Sequence, residues 1–190
     1  MGDVMCGWGH GISQWCPYWL TAEGLRVSHK RVARIWRQEG QGVSEAALEG
    51  AATEQDYHTA SGALPYSLRL TGANPEAKAY WSNYRSGTEI PITPGKTYTY
   101  SGLVEADLAT GAQATISLHF FTKEDRWAAI PGLEAEWDGK VAALEGKRDW
   151  TRLTVSCQAP ENAAKAVLFF SLKGQGQAWL SSAEFGESQK

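Results

Sequence analysis

From Leu64 onward the chain repeats one arrangement: a short run of β-type residues, a turn signal and another short run, with no long amphipathic helix between them. The runs are "YSLRLTG", "KAYWSNYRSG", "EIPITPGK", "TYTYSGLVEADLATG", "AQATISLHFFTKED", "WTRLTVSCQAP", "KAVLFFSLKGQG" and "QAWLSSAEF". Strands this short bury little on their own, so they must associate as two sheets sharing one core, a mainly β sandwich. Thr110-Gly111 and the "KGQG" stretch read as hairpin-type connections. At 190 residues there is room for one such domain and an appendage, or for two very small domains.

Alternation within the runs assigns faces, because side chains at i and i+2 point the same way. In "YTYSGLVE", Tyr98, Tyr100, Gly102 and Val104 form the expected core side. In "ATISLHFF", Ala114, Ile116, Leu118 and Phe120 face inward, and Thr115, Ser117, His119 and Phe121 lie opposite. In "RLTVSC", Leu153, Val155 and Cys157 face inward, which makes Cys157 a small core residue rather than a reactive thiol.

The order of the runs carries a resemblance. "SLRLTG", a Trp-bearing strand, "ITPGKTYTYSGLVEAD", an alternating strand, a long loop, "DWTRLTVSCQAP" and "VLFFSLKGQGQAWLSSAEF" follow one another over about residues 64–186. This succession resembles the jelly-roll carbohydrate-binding modules of bacterial polysaccharide-degrading enzymes. The resemblance implies a jelly-roll β-sandwich that binds a polysaccharide or oligosaccharide without catalysis, in a native context beside a glycoside hydrolase. It also implies a structural calcium site on acidic positions of the first and last strands. Here Leu180-Ser181-Ser182 stands where the family has Phe-Asp-Asp, and no acidic, Trp-bearing first strand occurs between Gln41 and Ala63. Hard cations need several oxygen ligands, so neither calcium nor another cofactor is expected.

Sugar binding by such modules uses aromatic rings laid against the C–H faces of sugars, with polar side chains bonding the hydroxyls. The candidates are Trp81, Tyr84 and Arg85 in "YWSNYR", with Asn83 beside them; Trp127 and Trp137 in "EDRWAAIPGLEAEWDGK"; and Glu105, His119 and Phe121 on the polar sheet face. Core packing competes for every aromatic on this list. Trp150 is assigned to packing, and Trp179 is left undecided. Glu134, Glu136 and Asp138 alternate along a loop and read as solvated acids rather than a hydrolytic pair. No Gly-x-Ser-x-Gly, phosphate loop or paired-His metal motif is present, so no catalytic residue is named.

Ahead of the sandwich the composition differs. Residues 1–41 read as a helical appendage: "PYWLTAEG" stopped by Gly24, then "HKRVARIWRQ" capped by Ser28. The segment "WLTAEGLRVSHKRVARIWRQEG" resembles the helix-turn-helix that precedes the catalytic core of certain insertion-element transposases, over about residues 14–41. That likeness implies DNA contact through Lys30, Arg31, Arg34 and Arg37 as the alternative function, with a structural or interaction sandwich lacking sugar affinity as the third. Residues 42–63 are rich in Ala, Gly, Glu and Ser and read as a linker or irregular lead-in to a domain spanning 64–190.

A net charge of -3 opposes a surface built throughout for phosphates. Cys6, Cys16 and Cys157 cannot all pair and show no zinc-like spacing. No 18-residue apolar run marks a membrane span, and "MGDVMCGWGHGIS" shows no export signal, although a polysaccharide ligand implies an extracellular site.

Overall fold

The computed structural model describes residues 26–27, 51–58, 60, 67–84, 89–135 and 138–188. These are β throughout: β1 (Arg26–Val27), β2 (Ala51–Asp56), β3 (Ser67–Gly72), β4 (Lys78–Ser82), β5 (Ile90–Pro91), β6 (Thr97–Leu108), β7 (Gln113–Phe121), β8 (Lys140–Glu145), β9 (Lys147–Gln158), β10 (Lys165–Lys173) and β11 (Gly176–Glu187). Sheet A has the order β2-β3-β11-β6-β9, with β1 also on β11; sheet B has the order β4-β10-β7-β8, with β5 also on β10. All pairings are antiparallel. The result is the two-sheet β-sandwich that the strand pattern implied, with the jelly-roll form that the resemblance implied.

The core lies between the sheets where alternation put it. Tyr98, Tyr100 and Val104 meet Leu153, Val155, Phe185 and Leu180 from sheet A, and Ala114, Ile116, Leu118 and Phe120 meet Leu168, Phe170 and Leu172 from sheet B. Cys157 is a buried free cysteine, and burial pushes its thiol pKa up. Tyr98 stacks on Phe185 at 5.4 Å, and its hydroxyl accepts the Thr93 N–H at 2.8 Å, tying the loop after β5 to the core.

Three expectations are corrected. Strand β2 lies inside the stretch 42–63 that composition marked as irregular; it pairs with β3 from Ala51↔Gly72 to Asp56↔Ser67, so the edge of β3 is covered. Strand β8 lies within the long connection after β7, which the residue pattern reads as a loop. The Thr110-Gly111 and "KGQG" turns are not hairpins: β6 and β11 belong to sheet A, whereas β7 and β10 belong to sheet B, so each turn carries the chain across the core. The two N-terminal helices lie outside the described residues, except that Arg26–Val27, between them, form a strand on Phe185 and Gly186.

Candidate functional site

The outer face of sheet B follows from register. Ser82, Phe169, Ser117 and Val141 form one cross-strand rung, and Tyr80, Ser171, Thr115 and Ala143 form the next. On the other side of the first rung stand Val167 and His119, then Lys165 and Phe121. Aromatic rings gather on this face. Tyr84 lies 5.1 Å from Phe121, 5.6 Å from Trp127 and 6.4 Å from Phe169. His119 lies 4.9 Å from Phe169 and 5.5 Å from Trp127, and Tyr80 adds an edge contact to Phe169 at 5.4 Å.

Local chemistry fixes these rings. Trp127 returns to the sheet through a tight turn in which Thr122 N–H donates to the Arg126 carbonyl at 2.8 Å, with Asp125 at φ 58°. The turn ends in a bridge between Phe121 and Trp127, whose rings are 4.2 Å apart. Asp125 also pairs with Lys165 on β10, a contact that raises the Lys165 pKa. His119 Nε2 lies 2.8 Å from Ser117 Oγ, and the backbone at Gly139 passes so close that a Cβ there would meet the imidazole at 2.3 Å. A half-buried patch of rings thus offers flat apolar area next to the hydroxyls of Thr115 and Ser171, while the Ser82 and Ser117 hydroxyls are buried and hold Tyr84 N–H and His119 from beneath. Next to it Val141 is 53% exposed.

Of the residues named from sequence, Tyr84, His119, Phe121 and Trp127 come together here. Phe121 is on the expected face yet only 2% exposed, because Trp127 and Tyr84 cover it; it supports the patch from beneath. Trp81 is corrected: it is 6% exposed, its neighbours in register on β10 face the core, and its Nε1 donates to the Arg69 carbonyl at 3.5 Å. A core ring cannot stack on a ligand. Asn83 is fully buried and bridges the end of β4 to β10, its amide donating to the Ala166 carbonyl at 3.4 Å and its Oδ1 accepting the Leu168 N–H at 2.8 Å. That pair of bonds positions the following Tyr84. Glu105 is corrected as a member of this group, since β6 places it on sheet A. Arg85 and Trp137 lie outside the described residues, as do Lys30, Arg31, Arg34 and Arg37. Asp138 exchanges bonds with Ala135, its carboxylate accepting the Ala135 N–H at 3.0 Å, and so closes its own loop.

Sequence reasoning missed Tyr80 and Phe169. Both alternate correctly within "KAYWS" and "VLFFSL", but only the β4–β10–β7 register reveals that they share a face with His119.

No family model matches the chain. Among curated proteins it is similar to the tRNA3(Ser)-specific nuclease WapA of Bacillus spizizenii, 32% identical over 113 residues, and to the tRNA nuclease WapA of Bacillus subtilis, 28% identical over 113 residues. Each match covers 56% of this chain, and the chain spans only 4% of the length of either relative. Among solved structures, the enzymatically active domain of bacteriophage CBA120 tailspike protein 4 superposes with a TM-score of 0.59 at 12% identity, over 75% of this chain and 18% of that one. The xylanase 10B of Clostridium thermocellum, a family 22 carbohydrate-binding module joined to a catalytic module and complexed with xylohexaose, gives 0.47 at 14% identity, over 78% and 28%. The tailspike likeness is one of fold.

Proposed function

We propose that this domain binds a polysaccharide or oligosaccharide, without cleaving it, across the outer face of sheet B. The observation that carries the reading is the gathering of Tyr80, Tyr84, Trp127, Phe169 and His119 beside a row of hydroxyls on one sheet face. Tyr84 and Trp127 provide the stacking area, Phe121 holds them up, and His119, braced from below by the buried Ser117 hydroxyl, bonds hydroxyls of the sugar together with the half-buried Thr115 and Ser171. The resemblance of residues 64–186 to carbohydrate-binding modules supports the same reading. The match to about 4% of much longer nucleases supports a role as one binding module within a long chain.

The test is retention of the purified chain on xylan, cellulose, galactan, duplex DNA and tRNA at low and moderate salt. Retention by a glycan that survives salt, weakened about thirtyfold by Trp127→Ala, is the expected result. Retention by nucleic acid alone, fading as salt rises, would move the function to the basic residues 30–37 or to a nuclease context and sink the glycan reading.

A further inference from the structure

The outer face of sheet A carries a second constellation, and Glu105 is its centre. One rung of this face runs Glu54 on β2, Arg69 on β3, Trp179 on β11 and Glu105 on β6. Trp150 comes beside them where the β6–β9 register slips between Val104 and Ala106. After β2 the chain turns over the rung. His58 N–H donates to an Asp56 carboxylate oxygen at 3.2 Å, and the His58 carbonyl accepts the Ser67 hydroxyl at 2.7 Å. The imidazole rests 5.6 Å from the Trp150 ring and 5.1 Å, edge-on, from Trp179, with its Nε2 2.8 Å from Glu105 Oε2.

The geometry points to a second sugar-binding surface here, built on Trp150, Trp179 and Glu105 and closed from within the chain by His58. This rests on the reading of the domain as a sugar binder. A ring set against two indoles with a polar atom on a carboxylate is the arrangement a pyranose would adopt: C–H groups on indole, one hydroxyl donating to Glu105 in place of the imidazole nitrogen. The platform is pre-organised, since Trp179 Nε1 donates to Asp56 Oδ2 at 2.9 Å and Arg69 holds both Asp56, at 3.2 Å, and Glu54. Those two carboxylates are engaged with Arg69, which leaves Glu105 as the acceptor once His58 moves. Its charge selects a neutral glycan over an acidic one. His58 and Glu105 side chains are 49% and 23% exposed, and a contact of that kind shifts an equilibrium by at most about a factor of five, so a ligand can displace it. The adjoining Tyr57 is 80% exposed and free to extend the stacking area.

Titration calorimetry with soluble xylo-, cello- and galacto-oligosaccharides, and with oligogalacturonate as the acidic probe, tests this; each variant is checked for folding by thermal unfolding. Trp127→Ala, which disables the sheet B face, is expected to retain weak binding to a neutral probe. Adding His58→Ala should tighten that binding about fivefold, and Glu105→Ala, which leaves both indoles in place, should weaken it about tenfold. Oligogalacturonate should not bind this surface. The inference is overturned if His58→Ala brings no tightening in the Trp127→Ala background, or if Trp179→Ala leaves that binding intact. Wild-type binding that Trp127→Ala abolishes, with or without His58→Ala, would remove the second surface and leave the first. Binding untouched by Trp127→Ala but lost with Trp179→Ala would do the reverse, and no binding by any form would remove both.

Discussion

Gly139→Ala adds a single methyl group, yet the structure assigns it a definite cost. The new Cβ would lie 2.3, 2.4 and 2.6 Å from three atoms of the His119 imidazole, closer than carbon contacts allow, so the ring must swing away. It then loses the bond to Ser117 Oγ at 2.8 Å, worth about 1 kcal/mol. It also loses its packing on Phe169 at 4.9 Å and Trp127 at 5.5 Å, worth about 0.5–1 kcal/mol each for partly exposed rings. Gly139 is not among the glycines at positive φ, so alanine itself fits the backbone and restricts the unfolded chain, returning about 0.5–1 kcal/mol. The balance is a loss of about 1–2.5 kcal/mol, or about 2–10 °C in Tm for a domain of this size. Urea unfolding reads the stability, and glycan retention reads the displaced ring. In a double-mutant cycle with His119→Ala, Gly139→Ala should become neutral or stabilising, because the clashing atoms are gone. If Gly139→Ala is as stable as the wild type and binds equally well, the placement of His119 against the 139 backbone is wrong.

Two further outcomes are expected. Trp81→Ala empties a core site and should lower stability by about 3–5 kcal/mol in urea unfolding, whereas Trp127→Ala, which gives up ring contacts to Phe121, Tyr84 and His119 on a partly exposed face, should cost less, about 1.5–3 kcal/mol, while weakening binding; the opposite order would contradict the assignment of the two rings. The bond from Trp179 Nε1, helped by backbone N–H groups and by His58, holds the Asp56 pKa below its ordinary 3.8 against the opposing effect of burial. A lowered carboxylate pKa adds stability that is complete above 3.8 and fades as pH falls through the folded value. Asp56→Asn should therefore reduce the urea midpoint at pH 6 and converge on the wild type at the acid end; parallel profiles would refute the bond.

Much of the sandwich was legible because period-2 alternation is a local signal. Tyr98, Tyr100 and Val104, or Ala114, Ile116, Leu118 and Phe120, need only their own strand to declare an inside. Where both faces of a strand are apolar the signal fails: "KAYWS" offers Ala79 and Trp81 on one side and Tyr80 on the other, and only the β4–β10 register decides that Trp81 is inside. "AATEQD" and "KVAALE" carry too little apolar contrast to announce β2 and β8. The turn sequences at Thr110-Gly111 and "KGQG" specify a reversal but not which sheet the chain enters next. The site was half legible for the same reason. His119 and Trp127 could be named singly, but the contact of His58 with Glu105 spans 47 positions and leaves no trace in spacing.

Strand β11 has a consequence for how the molecule assembles. It is the last described strand, yet it lies between β3 and β6 in sheet A and pairs with both over Gly176–Leu180. Until it arrives, β3 and β6 each present an unsatisfied edge, and among the described residues the only sheet A pair joining strands consecutive in the chain is β2 with β3. Such distant pairings make closure slow relative to helical domains of similar size. During synthesis the two open edges wait for β11, and a chain cleaved after Lys173 would expose them permanently, as a template for pairing with other chains rather than as a smaller folded unit.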